Sequence, residues 1–220
     1  IRLAGESEPQ VYTEAGSGRW SRLSLTQMSI GYEVTQTPLQ ILNLYNAIAN
    51  GGTLMRPQLV ERLESNGTAV RTIEPEVVKQ RICSATTLEA CQRMMRRVAD
   101  PDGQGTAQFV FAKSPYTVAG KTGTARIAGP NGYDGRYRAS FAGYFPAEAP
   151  RYSCIVVIAD TRSGVYYGSS IAGPVFRELA NKVYATDPTF HESSEGLLTK
   201  AQRLPGAKDG ARRELISLYT

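Results

Sequence analysis

The chain holds a single histidine, His191, among 220 residues. It lies in a polar stretch, so a Ser-His-Asp triad built from this chain alone is not expected. Cysteine is also scarce, with only Cys83, Cys91 and Cys154. Their spacing suits no metal site, and an odd count argues against a disulfide framework. Cys154 sits in an apolar run and reads as a small core residue; Cys83 and Cys91 could pair. No apolar stretch of this chain is long enough to span a bilayer, and none of it is expected to serve as a signal peptide. Excess charge is slight, with 25 Lys and Arg against 20 Asp and Glu for a net +5. The basic residues are scattered except for Arg93, Arg96 and Arg97, which read as the solvated face of a helix. A nucleic-acid partner, which needs a wider basic surface, is not expected. The chain opens at Ile1-Arg2-Leu3 without a methionine and is expected to be a fragment, any upstream anchor lying outside it.

What remains is an ordinary globular composition, 41% hydrophobic, in a chain long enough to bury a good core. Its most unusual stretch is Val118-Ala119-Gly120-Lys121-Thr122-Gly123-Thr124-Ala125. Val118 and the two threonines favour a strand, whereas glycine inside a strand marks a place where a ligand or another backbone comes close. Alternation puts Thr122 and Thr124 on one face and Lys121 and Gly123 on the other. Two hydroxyls, an adjacent cation and a bare glycine suit a carboxylate, and an extended peptide can lie along such an edge as one more strand.

Along the chain, residues 1–24 are polar and broken by Gly5, Pro9, Gly16 and Gly18. Thr37-Pro38 predicts a helix start with threonine as N-cap and proline in the first turn. The helix runs through Leu39, Ile41, Leu42, Leu44, Tyr45 and Ile48 to a stop at Asn50-Gly51-Gly52, and its broad apolar band predicts a core helix. Leu59–Ile73 predicts a hairpin about Asn66-Gly67. Ser84 caps a second helix, in which Met94 and Met95 are expected to fill core. After the lysine strand, Gly129–Gly135 reads as a loop and Ala139–Pro146 as a strand. Tyr152–Asp160, with its run Ile155-Val156-Val157-Ile158, is expected to be a central strand buried on both faces. A helix begins near Ile171 and ends near Tyr184. The pattern is α+β, an antiparallel sheet flanked by helices. Two segments are expected: residues 1–185 as a folded domain, and 186–220 as a linker with the start of a C-terminal extension, in which Glu214 to Tyr219 reads as the start of a helix.

An ordered series of these motifs resembles the C-terminal half of the transpeptidase domain of class B penicillin-binding proteins, of the septal cell-division type. It runs from about Ser29 to Tyr184. It comprises Gly31-Tyr32, Thr37-Pro38-Leu39-Gln40, Ala47-Ile48-Ala49-Asn50-Gly51-Gly52 with Arg56-Pro57, and Gly105-Thr106-Ala107. Ala119-Gly120-Lys121-Thr122-Gly123-Thr124-Ala125, the K-T-G box of this family, follows. Ser140–Pro146 and Tyr166-Tyr167-Gly168 leading into Ala172-Gly173-Pro174-Val175-Phe176 complete it.

The resemblance implies a partial penicillin-binding, serine β-lactamase-like fold and a peptidoglycan D,D-transpeptidase that cross-links stem peptides through a serine acyl-enzyme. It implies Lys121 and Thr124 as catalytic residues, and Thr122, Gly123, Thr124, Tyr166 and Tyr167 as substrate-binding residues. Peptidoglycan stem peptides, their lipid-linked precursor, β-lactams and cell-division proteins are the implied partners. No cofactor or metal is implied. The implied location is the periplasmic face of the cytoplasmic membrane, with an N-terminal anchor helix not in this chain. Two departures stand out. The Ser-x-x-Lys and Ser-x-Asn boxes that carry the family's nucleophile have no fitting counterpart here, so this chain alone is expected to be inactive. Glu33 stands where many members carry glycine. A D,D-carboxypeptidase or β-lactamase, a β-lactam sensor, or a catalytically dead component of a division complex are the alternatives.

Overall fold

In the computed structural model the described residues are 6–13, 20–130, 132–161 and 164–190. In chain order the elements are β1 (Gln10–Val11), α1 (Ser24–Ser29), β2 (Val34–Thr35), α2 (Pro38–Ala49), β3 (Leu54–Met55), β4 (Arg62–Ser65), β5 (Thr68–Thr72) and β6 (Val77–Lys79). They continue with α3 (Ala85–Ala99), α4 (Gln108–Phe111), β7 (Ala119–Gly129), β8 (Gly132–Phe145), β9 (Tyr152–Thr161) and α5 (Gly168–Thr186). The chain divides into two compact units, Ile1–Glu178 and Leu179–Thr220, with the boundary inside α5. In the second unit, a short 3₁₀ turn at Pro188–Phe190 brings Phe190 within 5.0 Å of Tyr184, centroid to centroid. His191, and the helix expected over Glu214–Tyr219, lie outside the described residues.

The first unit is built on the antiparallel sheet β7-β8-β9. Lys121 faces Ala142 across the β7–β8 pair, Thr122 faces Phe141, Gly123 faces Ser140 and Thr124 faces Ala139. Side chains of alternate parity go to opposite layers. Phe141 and Phe145 of β8 meet Phe176 of α5 at 4.8 and 6.0 Å, and Phe111 of α4 closes the cluster against Phe141 and Phe176 at 5.3 and 5.8 Å. On the other face, Tyr144 packs with Ala119, with Met95 of α3 and with Tyr45 and Ile48 of α2. The result is a sheet with helices on both sides, as the α+β pattern predicts.

Local chemistry accounts for the main helices. The Thr37 hydroxyl accepts from the Gln40 N–H, and the Gln40 side chain accepts from the Thr37 N–H. That reciprocal pair satisfies two otherwise orphaned donors, and Pro38 removes a third. Ser84 caps α3 by accepting from the Thr87 N–H. Asn66 and Gly67 both have positive φ, 52° and 76°, the conformation a two-residue hairpin turn requires.

Several expectations are corrected. β9 is an edge strand among the described residues, with β8 in the centre. Nor is it buried on both faces: of its apolar run only Val156 is buried, while Ile155, Val157 and Ile158 are half-buried, because its edge position leaves the strand partly uncovered. The expected loop at Gly129–Gly135 is largely strand, since β8 starts at Gly132. Helix α2 is half-buried instead of a core helix: Ala47 alone is fully buried and Leu44 is 47% exposed. Met95 is core but Met94 is 59% exposed. Cys83 and Cys91 are free thiols, as is Cys154. Burial pushes the Cys154 thiol pKa up, as its placement in an apolar strand requires. Arg93, Arg96 and Arg97 are all exposed on α3.

Glu33 has φ 57° and is exposed. This left-handed conformation is one that glycine adopts freely and a β-carbon opposes by about 1–2 kcal/mol. We expect Glu33→Gly to stabilise the protein by up to about 1 kcal/mol, part of the gain being offset by the greater freedom of glycine in the unfolded chain. Phe176→Ala, at a fully buried position, is expected to destabilise it by about 3–5 kcal/mol. Urea unfolding of the two variants beside the wild type measures both.

Candidate functional site

Lys121, Thr122, Gly123 and Thr124 sit on β7, whose outer edge has no partner strand among the described residues, and Tyr166 and Tyr167 lie just before α5. Lys121 is exposed, and its Nζ donates to the Thr122 carbonyl at 2.8 Å. Lys121 lines two hollows. One, of about 420 Å³, lies under α2 with Tyr45, Gly123 and Ser140 in its wall. The other, of about 590 Å³, is bordered by Arg97, Asp100 and Thr106. Gly123 has a physical reason to be glycine: a β-carbon there would fall 2.3 Å from Ser140 Oγ on the neighbouring strand. The bareness expected beside the site thus serves the sheet as well.

Both threonines are engaged through their hydroxyls. Thr122 Oγ1 lies 2.9 Å from Thr106 Oγ1. Thr124 Oγ1 accepts from the Gly168 N–H at 3.1 Å. An N–H can only donate, so the Thr124 hydroxyl keeps its own proton for a ligand. Gly168 opens α5, so its amide also carries the positive end of that helix's dipole. Its backbone approaches the sheet so closely that a β-carbon would lie 2.4 Å from the Ser140 carbonyl oxygen and 2.5 Å from that of Gly123. The glycine of Tyr166-Tyr167-Gly168 is therefore what lets the helix start reach Thr124.

That contact also sets the two tyrosines next to the strand. Tyr166 stacks on Tyr137 of β8, centroids 4.1 Å apart and planes within 11°, and Tyr167 lies 4.6 Å from Tyr166. Arg126, opposite Tyr137 in the β7–β8 register, places its guanidinium 5.8 Å from the Tyr137 ring and 5.5 Å from that of Tyr133. A hydrogen bond to the Tyr137 hydroxyl, with the nearby phenols, raises the Arg126 pKa further. The Tyr166 phenol is raised as well, chiefly by its bond to the Tyr167 hydroxyl. Thr122, Thr124 and Arg126 succeed one another on one face of the strand, and an aromatic shelf closes the far end.

All six residues expected from the sequence, Lys121, Thr122, Gly123, Thr124, Tyr166 and Tyr167, fall in this one region. Sequence reasoning missed Tyr137, Arg126 and the part played by Thr106. Arg126 follows the stretch read as the lysine strand, and Tyr137 falls between the expected loop Gly129–Gly135 and the expected strand Ala139–Pro146; the alternation of a longer hairpin is the signal that reveals them.

The penicillin binding protein transpeptidase domain family matches residues 5–181. The chain belongs to this family. It is 34% identical over 169 residues to the peptidoglycan D,D-transpeptidase FtsI of Escherichia coli K12, a match covering 76% of this chain and 26% of that protein. It is 35% identical over 178 residues to penicillin-binding protein 2A of Bacillus subtilis, covering 74% of this chain and 24% of that one. Among solved structures, penicillin-binding protein 3 of Mycobacterium tuberculosis complexed with aztreonam aligns with a TM-score of 0.67 at 31% identity, over 82% of this chain and 41% of that one. The chain therefore spans about a quarter of the length of these curated relatives. The penicillin-binding transpeptidase fold expected from the motifs is the observed one, in part.

Gly168→Ala is expected to destabilise the protein by about 1–3 kcal/mol, because α5 must back away from two carbonyl oxygens. The same shift removes the amide from Thr124. Urea unfolding gives the first effect, and a changed Thr124 environment by NMR gives the second.

Proposed function

We propose that this chain is the C-terminal half of the catalytic domain of a peptidoglycan D,D-transpeptidase that acts in cell-wall synthesis and division. The observation that carries the reading is the strand Lys121-Thr122-Gly123-Thr124 on a sheet edge with no partner strand among the described residues, in a member of the transpeptidase family. Each threonine hydroxyl there has a hydrogen-bonding group behind it.

In this reading a serine supplied by the protein N-terminal to this chain attacks the carbonyl of a D-Ala-D-Ala terminus. The terminal D-alanine leaves with the proton, and the acyl group passes to an amine of a neighbouring stem peptide. Lys121 supplies positive charge beside the donor carboxylate and aids proton transfer at the serine. Thr122 and Thr124 hydroxyls donate to that carboxylate. The Thr124 N–H forms half of the oxyanion hole, a contribution of about 3–4 kcal/mol to the transition state. Gly123 keeps the strand free of bulk beside the site, and Tyr166 and Tyr167 flank the bound peptide. β-Lactams occupy the same place and trap the serine. The protein works at the outer face of the cytoplasmic membrane, held by an anchor upstream of this chain, beside cell-division partners. No helix among the described residues is long and apolar enough to cross a membrane.

The test is labelling by a fluorescent penicillin. The full-length protein is expected to take one label per molecule, and Lys121→Ala to label at least about 100-fold more slowly, the loss of a key electrostatic group. The isolated chain is expected to take none; stoichiometric labelling of it would overturn the upstream assignment of the nucleophile. A folded full-length protein that takes no label points instead to a structural component of the division machinery. A protein that labels but does not cross-link stem peptides in vitro points to a β-lactam sensor or carboxypeptidase.

A further inference from the structure

The motif Gly105-Thr106-Ala107 has no task in the reaction just described. Its geometry gives it one. Both neighbours of Thr106 are pinned against the last turn of α3. A β-carbon on Gly105 would lie 2.2 Å from the Arg97 carbonyl oxygen and 2.3 Å from that of Val98, so only glycine permits the approach. The Ala107 N–H donates to the Val98 carbonyl at 2.9 Å, and Ala107 is 1% exposed. The Gln108 N–H closes the turn by donating to the Gly105 carbonyl at 3.2 Å. Thr106 lies between these two anchored residues, and its Oγ1 rests 2.9 Å from Thr122 Oγ1. Thr106 and Lys121 border the same hollow.

We propose that Thr106 is a positioning residue that acts through Thr122, holding its hydroxyl so that its proton points at a bound carboxylate. The proposal rests on the reading of the strand as a carboxylate-binding edge.

Two hydroxyls in contact share one hydrogen bond, and either can donate it. An anion in front of Thr122 decides the direction. Thr106 donates to Thr122, and Thr122 donates to the anion, because a carboxylate only accepts. Hydrogen bonds that run in one direction reinforce one another. The opposite direction would spend the Thr122 proton on Thr106 and turn lone pairs toward the anion. Threonine has a stiff χ1, so the contact also holds the side chain in one rotamer before a ligand arrives. The Gly168 N–H serves Thr124 in the same way. Each of the two strand hydroxyls thus has a donor at its back, one from a turn pinned to α3 and one from the start of α5.

The experiment measures the second-order rate of acylation by a fluorescent penicillin in the full-length protein. Thr106→Val, nearly the same shape without the hydroxyl, is expected to lower that rate about 3- to 10-fold, as for the loss of one hydrogen bond. Thr106→Ser restores the hydroxyl and is expected to return the rate to within about twofold of wild type. The deciding measurement repeats Thr106→Val in a Thr122→Val background, where it should bring no further loss. An equal loss in both backgrounds overturns the proposal, since Thr106 would then act independently of Thr122. No loss on Thr106→Val in the wild-type background overturns it as well. Thr106→Ala, read in the same cycle, decides the matter if the valine variant has a lowered Tm. A wild-type protein that takes no label overturns the reading beneath the proposal, and the proposal with it.

Discussion

The pairing of β7 with β8 is the constraint on which the rest depends. Its register sets Thr122 opposite Phe141 and Thr124 opposite Ala139, with Lys121 and Gly123 opposite Ala142 and Ser140. A slip of one residue would exchange the two faces of the strand. The threonines would then lie under α2 and the lysine over the phenylalanine cluster. The register is held from both sides. Phe141 and Phe145 are locked into Phe111 and Phe176 on one face, and Tyr144 into Met95 and Ala119 on the other. Large buried rings of alternate parity leave the strand one way to lie.

Given that register, the site is assembled by close backbone approaches from two other parts of the chain. The turn after α3 comes in at Gly105, and the start of α5 comes in at Gly168. Neither contact is a large burial of apolar area. Each places one polar group against one threonine hydroxyl, and each depends on the absence of a single β-carbon. The site is therefore precise for a local reason, while its stability is drawn from the aromatic layers behind it.

Much of this was legible in the sequence where local chemistry decides structure. Thr37, Pro38 and Gln40 announced α2, Ser84 announced α3, and Asn66-Gly67 announced the hairpin. Lys121 to Thr124 could be placed on a strand with the right alternation. What was not legible depended on distant partners. The strands β1 and β2, and β3 and β6, only two or three residues long, exist because they pair with each other, and no run that short has a pattern of its own. α1 and α4 are six and four residues long, too short for a helical period to emerge. Arg126 at the far end of β7 and Tyr137 in the early part of β8 flank a stretch whose glycines and Pro130-Asn131 read as turn chemistry, so their pairing does not show in the sequence. Thr106 was seen as part of a motif, but its contact with Thr122 spans sixteen positions and belongs to the packing of α3.

The position of β9 has a practical side. Its outer edge has no neighbour among the described residues, and the strand runs ten residues through Cys154-Ile155-Val156-Val157-Ile158. An unpaired row of backbone donors and acceptors flanked by β-branched side chains is a template for another strand. Produced by itself, the chain would offer that edge to its own copies, and self-association would grow with concentration. A lysine or proline on the solvent side of β9 would blunt the edge without touching the lysine strand, two strands away.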